Sequence, residues 1–153
     1  MAALRSTDVL AAVAAALAKR FGFDVHVGDH SEQEGIDLPC FFVQIIRTTE
    51  GQTKDFNYNH LSVIVDYIPK ANVDKEIDFM DVADDCRALF AQGVSAGGRH
   101  LKMWEFQDER IGEHGDILEI TLRTRFYDET GRDPDEGYEL MRELKARINQ
   151  KYK

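Results

Sequence analysis

The carboxylates Asp78, Asp81, Asp84 and Asp85 lie close together in the chain. Clustered oxygens are what a hard divalent cation and metal-assisted hydrolysis require. Helical spacing, however, spreads these groups along one solvent-facing side of a single helix, whereas a metal-dependent nuclease gathers its ligands from separate elements. Of the histidines His26, His30, His60, His100 and His114 only His26 and His30 stand at HxxxH spacing, across the expected end of a strand and Gly28 and not within a helix, and the two cysteines are far apart, so no zinc site is indicated. Cys40 with His60 is the nucleophile–base pairing that neighbouring strands could bring together. Cys40 follows Pro39 in an apolar run, where burial raises a thiol's pKa and keeps it unreactive. No GxxxxGK[ST] or GxGxxG run exists, and Gly93 to Gly98 lacks the lysine of a phosphate loop. The residues therefore indicate no catalytic, cofactor-binding or metal site.

Binding is limited by charge. The 153 residues carry 28 acidic and 19 basic side chains, a net charge of −9, with no Lys/Arg cluster longer than a pair. That excludes the electrostatic footprint of a duplex-binding surface and gives no support to an anionic membrane as partner. Tyr58, Tyr67, Trp104 and Phe106 stand at strand spacing and could imitate a base-stacking platform. Without flanking basic residues they read as core. Cys40 and Cys86 read as reduced core residues of a chain large enough to need no disulfide. Val9 to Ala18 is apolar but is preceded by Asp8 and followed by Lys19 and Arg20. It is neither a signal-peptide core nor, being far short of the ~20 residues needed, a membrane span. The expectation is a protein kept in the cytoplasm of its producing cell.

The elements that would position these residues follow from periodicity. Leu10, Val13, Ala14, Leu17 and Phe21 share a helical face, with Ser6 or Thr7 as cap and Gly22 as stop. Ala11, Ala15 and Ala18 form a row of small side chains on another side, where a second backbone could approach closely. Phe23, Val25 and Val27 alternate with polar residues as in a short strand, and Gly28 to Asp37 is a polar, acidic loop. Cys40 to Ile46 is apolar at nearly every position, as in a strand covered on both faces. A polar turn leads into Phe56 to Ile68, which makes an antiparallel hairpin the simplest arrangement. Asp74 can cap a helix reaching about Gln92, with Phe79, Val82, Ala83, Cys86 and Phe90 as its apolar stripe. A second hairpin follows, Leu101 to Gln107 and Ile117 to Tyr127. In the latter Leu118, Ile120, Leu122, Thr124 and Phe126 face the core. Asp133, Pro134 and Glu136 open a terminal helix with the stripe Tyr138, Met141, Leu144, Ile148 and Tyr152. The expected fold is a single α+β domain over residues 1–153. It is an antiparallel or mixed sheet of about five strands packed by helices, in the order α-β-β-β-α-β-β-α.

Pro39-Cys40-Phe41-Phe42-Val43 after an acidic loop resembles a recurrent motif of the tail terminator family of long-tailed phages and prophages. The strand from Tyr58 that ends Asp66-Tyr67-Ile68-Pro69, the acidic helix Ile77 to Phe90, and Gly115-Asp116-Ile117-Leu118 opening a strand that closes at Arg125-Phe126-Tyr127 follow in the same order. The resemblance implies a structural protein that assembles as a ring, typically of six copies, on the head-proximal end of the tail tube. It would stop tube growth and meet the head-to-tail connector. The implied partners are its own copies, the tail tube protein and the connector protein, with no specific nucleic acid and no membrane. The implied location is the virion tail, after assembly in the host cytoplasm. The candidate interface residues are Ser31, Glu32, Gln33 and Glu34 of the acidic loop, Gln52 and Lys54 of the polar turn, and Ala11 and Ala15 of the first helix. Lys54 could meet the acidic loop of a neighbouring copy. A small non-catalytic adaptor that binds one folded partner as a monomer shares these surface features, and oligomeric state separates the two readings. A metal-dependent nuclease is the less favoured third.

Overall fold

A computed structural model of the chain describes residues 3–29, 35–71 and 73–130. Their elements are α1 (Ser6–Phe21), β1 (Asp24–Val27), β2 (Cys40–Gly51), β3 (Phe56–Ile68), α2 (Lys75–Leu89), β4 (Val94–Ala96), β5 (Arg99–Leu101), β6 (Glu105–Ile111) and β7 (Ile117–Glu129). The fold is α+β, as expected. The terminal helix expected from Asp133 onward and the acidic residues Ser31 to Glu34 lie outside the described residues.

Five strands form one mixed sheet in the order β1-β2-β3-β7-β6. Both expected hairpins are present, β2 against β3 and β6 against β7, and the long strands β3 and β7 pair antiparallel at the centre. β1 runs parallel to β2. The intervening connection is long enough to return the chain to the end of the sheet from which β1 started, as a parallel pairing requires.

Both helices pack on one face. The first four residues of β2, Cys40 to Val43, are buried on both sides, but Ile46 is 56% exposed, so the double cover expected through Ile46 stops short of it. Phe41, Val43, Leu61, Val63, Val65, Leu118, Ile120 and Leu122 meet Val9, Val13 and Leu17 of α1 and Phe79, Val82, Ala83 and Cys86 of α2. The centre of the α1 stripe is therefore Val9, Val13 and Leu17, with Leu10 and Phe21 packed at its margin. Truncating a fully buried aromatic such as Phe41 to alanine would cost about 3–5 kcal/mol. On the opposite face, among the described residues, Cys40, Phe42, Ile68 and Ile117 form a second small buried cluster, at one end of the sheet.

Some boundaries differ from expectation. The N-cap of α1 is Arg5 rather than Ser6 or Thr7, and its amide donates to the Asp8 carboxylate at 3.4 Å. Asp74 does cap α2, accepting from the Glu76 amide at 3.2 Å, but the helix ends at Leu89. The strand expected over Leu101 to Gln107 is divided between β5 and β6. Here the Lys102 carbonyl accepts from Thr124 Oγ1 at 2.7 Å, and the Trp104 amide donates to the Arg123 carbonyl at 2.8 Å. β4 and β5 form a separate hairpin through Gly97 and Gly98, both at positive φ, the pattern of a type I′ turn. A Cβ on Gly97 would come within 2.7 Å of Leu4 Cδ1, so glycine also lets this turn press against the start of α1.

Candidate interface surfaces

The core parity of three adjacent strands continues past their apolar residues into polar ones. Arg47 continues Phe41, Val43 and Ile45; Asn59 precedes Leu61 and Val63; Asp128 follows Leu122, Thr124 and Phe126. Asp128 is 5% exposed and lies between two guanidinium groups, Arg99 at 3.2 Å and Arg47 at 3.7 Å. Its Oδ2 accepts the Leu4 amide at 2.6 Å. Arg47 also donates to Asn59 Oδ1 at 3.0 Å, to the Leu4 carbonyl at 2.9 Å and to Ser6 Oγ at 3.3 Å. Both arginines lie over the Phe126 ring. The cluster ties the entrance of α1 to the far end of the sheet. Sequence reasoning passed over it, although three polar residues on core-facing positions of neighbouring strands were a readable signal.

Ala11, Ala15 and Ala18 are exposed on α1, so the expected small-residue row exists and takes no part in the core. Gln52 and Lys54 are exposed in the β2–β3 turn, which is held by hydrogen bonds. Thr53 Oγ1 accepts from the Phe56 amide at 3.0 Å, and the Asp55 carbonyl accepts from the Thr130 amide at 2.9 Å. The flanks of the acidic loop converge on the opposite end of β2, where the Gly28 amide donates to the Val43 carbonyl at 2.9 Å. From Val43 to Gly51, eight residues of β2 separate Gly28 from the turn, roughly 27 Å of extended chain.

The acidic residues of α2 are not one uniformly solvated face. Asp78 accepts from the Tyr67 hydroxyl at 2.8 Å, Asp85 pairs with Arg20 of α1 at 3.3 Å, and Arg87 bridges Asp84 at 2.8 Å and Asp108 at 3.0 Å. Glu76 pairs with Arg110. Asp78, Asp84 and Asp85 thus turn to different partners, and among the described residues no group of three or more His, Cys, Asp or Glu side chains could hold a metal. Register separates Cys40, opposite Ile68, from His60, opposite Thr48, by eight rungs or roughly 27 Å. Both cysteines are free and buried. Burial pushes the Cys40 thiol up, with Asp24 adding to it, and pushes the Cys86 thiol up to about 12, with Asp85 raising and Arg20 opposing.

Of the aromatic residues expected in the core, Tyr67 is buried and Phe106 partly so, but Trp104 is 56% exposed. The Lys102 ammonium lies 4.8 Å and the Arg125 guanidinium 5.3 Å from its ring centroid. The basic neighbours missing from the linear reading come partly from β7, across the sheet. Trp104 and Arg125 line, with His60, Ser62, Glu105 and Arg123, a groove of about 330 Å³. No helix among the described residues is long and apolar enough to cross a membrane.

A family model described as phage tail terminator protein matches residues 8–137. Among solved structures, a chain of the virion of a native gene transfer agent particle is 16% identical, with a TM-score of 0.50 over 81% of this chain and 96% of that one. Another solved chain is 14% identical over 84% of this chain and 98% of its own length, and its TM-score of 0.35 carries no argument. No curated protein matches. The gene transfer agent chain supports the fold; the family match, which spans most of the sequence, assigns the class. The chain belongs to the phage tail terminator family and is a structural protein of the virion tail.

Proposed function

We propose that the chain caps the head-proximal end of a tail tube as a closed ring, six copies being the family's usual number, and thereby stops tube polymerisation and presents a surface to the head-to-tail connector. Within the chain the supporting observation is the separation along β2: the acidic-loop flanks at one end, Gln52 and Lys54 at the other. Lys54 lies beyond the far end of β2 from Gly28, where the acidic loop begins. A head-to-tail succession of copies can bring it to the next one, and heterologous contacts of this kind close into rings when the rotation permits. Ala11 and Ala15 supply a flat helical surface for close approach in the same assembly. The net charge of −9 opposes self-association at low salt, which would delay ring closure until a tube end supplies further contacts. Assembly takes place in the host cytoplasm.

Native mass determination at rising concentration and salt, with and without tail tubes, tests the reading. A salt-dependent equilibrium between monomer and ring, displaced toward the ring by tube ends, is the expected result. A monomer under every condition, binding one partner in a one-to-one complex, would instead make the chain an adaptor.

A further inference from the structure

Trp104 is the chain's single tryptophan, and its exposed ring sits with two cations that have no carboxylate partner among the described residues, Lys102 and Arg125. An exposed tryptophan beside an arginine has the composition of an interface hot spot. The first half of α2 offers its complement. Ile77 is 60% and Met80 63% exposed, and beside them Asp81 is exposed with no cation partner among the described residues. One surface is aromatic and positive, the other aliphatic and negative.

The two do not meet within one copy. Trp104 shares a cleft with Arg87, Phe90 and Ala91 at the C-terminal end of α2, while Ile77 and Met80 lie in the helix's first half, about 10–20 Å away at 1.5 Å per residue. We propose that Trp104, Lys102 and Arg125 of one copy receive Ile77, Met80 and Asp81 of the next. Met80 and Ile77 pack on the indole, and the Asp81 carboxylate takes charge-assisted hydrogen bonds from Lys102 or Arg125. Each copy uses each surface once, as a head-to-tail ring requires. The polarity agrees with the Lys54 contact. Asp78 of α2 is bonded to Tyr67, at the acidic-loop end of the sheet, whereas the Trp104 groove includes His60 and Ser62, nearer the β2–β3 turn. The inference rests on the ring reading and names the contact that closes it.

The lone tryptophan makes the test direct. Intrinsic fluorescence and acrylamide quenching of the full chain, followed alongside sedimentation, should show Trp104 emission shifting to the blue and its quenching falling as rings form. Arg125→Glu and Asp81→Lys should each weaken self-association by roughly tenfold or more. The double variant, which restores the net charge, should recover it, and the charge-neutral His114→Gln in the exposed β6–β7 turn should leave it unchanged. Rings that form with Trp104 still fully quenchable, or a double variant no better than the singles, would overturn this interface while leaving the ring intact. Absence of any ring from the wild-type chain at tube ends would remove both. Quenching of Trp104 by a single-stranded oligonucleotide at physiological salt would assign the surface to nucleic acid and overturn the proposal.

Discussion

The Leu4 amide donates to the Asp128 carboxylate at 2.6 Å, joining residues 124 positions apart and fixing the entrance of α1 against the end of β7. Removing the carboxylate leaves Arg47 and Arg99 without their shared counter-ion and the Leu4 amide without its acceptor. Asp128→Ala is expected to cost about 3 kcal/mol, since breaking a buried pair leaves an uncompensated charge, tempered here by the partial exposure of both arginines. Asp128→Asn keeps shape and one acceptor and should cost about 1–2 kcal/mol. Urea denaturation of the two variants checks the order.

Cys86 lies at the centre of the α2 stripe, 1% exposed. Cys86→Asp would place a carboxylate among Phe79, Val82 and Phe90, close to Asp85, and should cost several kcal/mol. Asp81→Asn, on the exposed side, should stay within about 0.5 kcal/mol. Equal melting temperatures for the two would contradict the helix register.

Stability should fall in alkali. In the unfolded chain a thiol ionises near 9, whereas burial first and Asp85 second push folded Cys86 up to about 12. The unfolded state therefore releases its proton first, so the full stability present below pH 9 is lost as pH rises through the 9–12 window, at up to about 1.4 kcal/mol per unit. Tyr67 acts in the same direction from above pH 10, its phenol held up by burial and by the hydrogen bond to Asp78. Unfolding free energies between pH 8 and 11 should show this slope, and Cys86→Ala should flatten its lower part.

Much of this arrangement could be read from periodicity because period-two and period-3.6 patterns report burial directly. Leu118 to Phe126 alternate as expected, and Phe79, Val82, Ala83, Cys86 and Phe90 are all buried. Strand parity also held the signal for the Arg47–Asp128 cluster, which a search for apolar residues alone overlooks. The surroundings of Trp104 were harder to see, since Arg125 reaches it only through the pairing of β7 and the sharp change of neighbour between Lys102 and Glu105. The same change accounts for the division of the expected Leu101–Gln107 strand. The parallel placement of β1 rested on a long connection, and no local pattern gives the direction of such a strand.

Calorimetry with Mg²⁺ or Mn²⁺ should give no stoichiometric site, because Asp78, Asp84 and Asp85 are drawn to Tyr67, Arg87 and Arg20 respectively instead of converging. A one-to-one micromolar site that vanishes in Asp78→Ala/Asp81→Ala would contradict the structural-protein reading and favour the nuclease alternative.

The central claim concerns tail ends, and tail length measures it most directly. Electron microscopy of particles from producing cells that carry the chain with Ser31 to Glu34 deleted, its circular dichroism unchanged, should show tails of uncontrolled length without attached heads, with normal lengths restored by the wild-type chain. Capped tails of normal length in the deletion strain would remove the acidic loop from the mechanism. Normal, head-bearing tails in cells lacking the chain altogether would contradict the account.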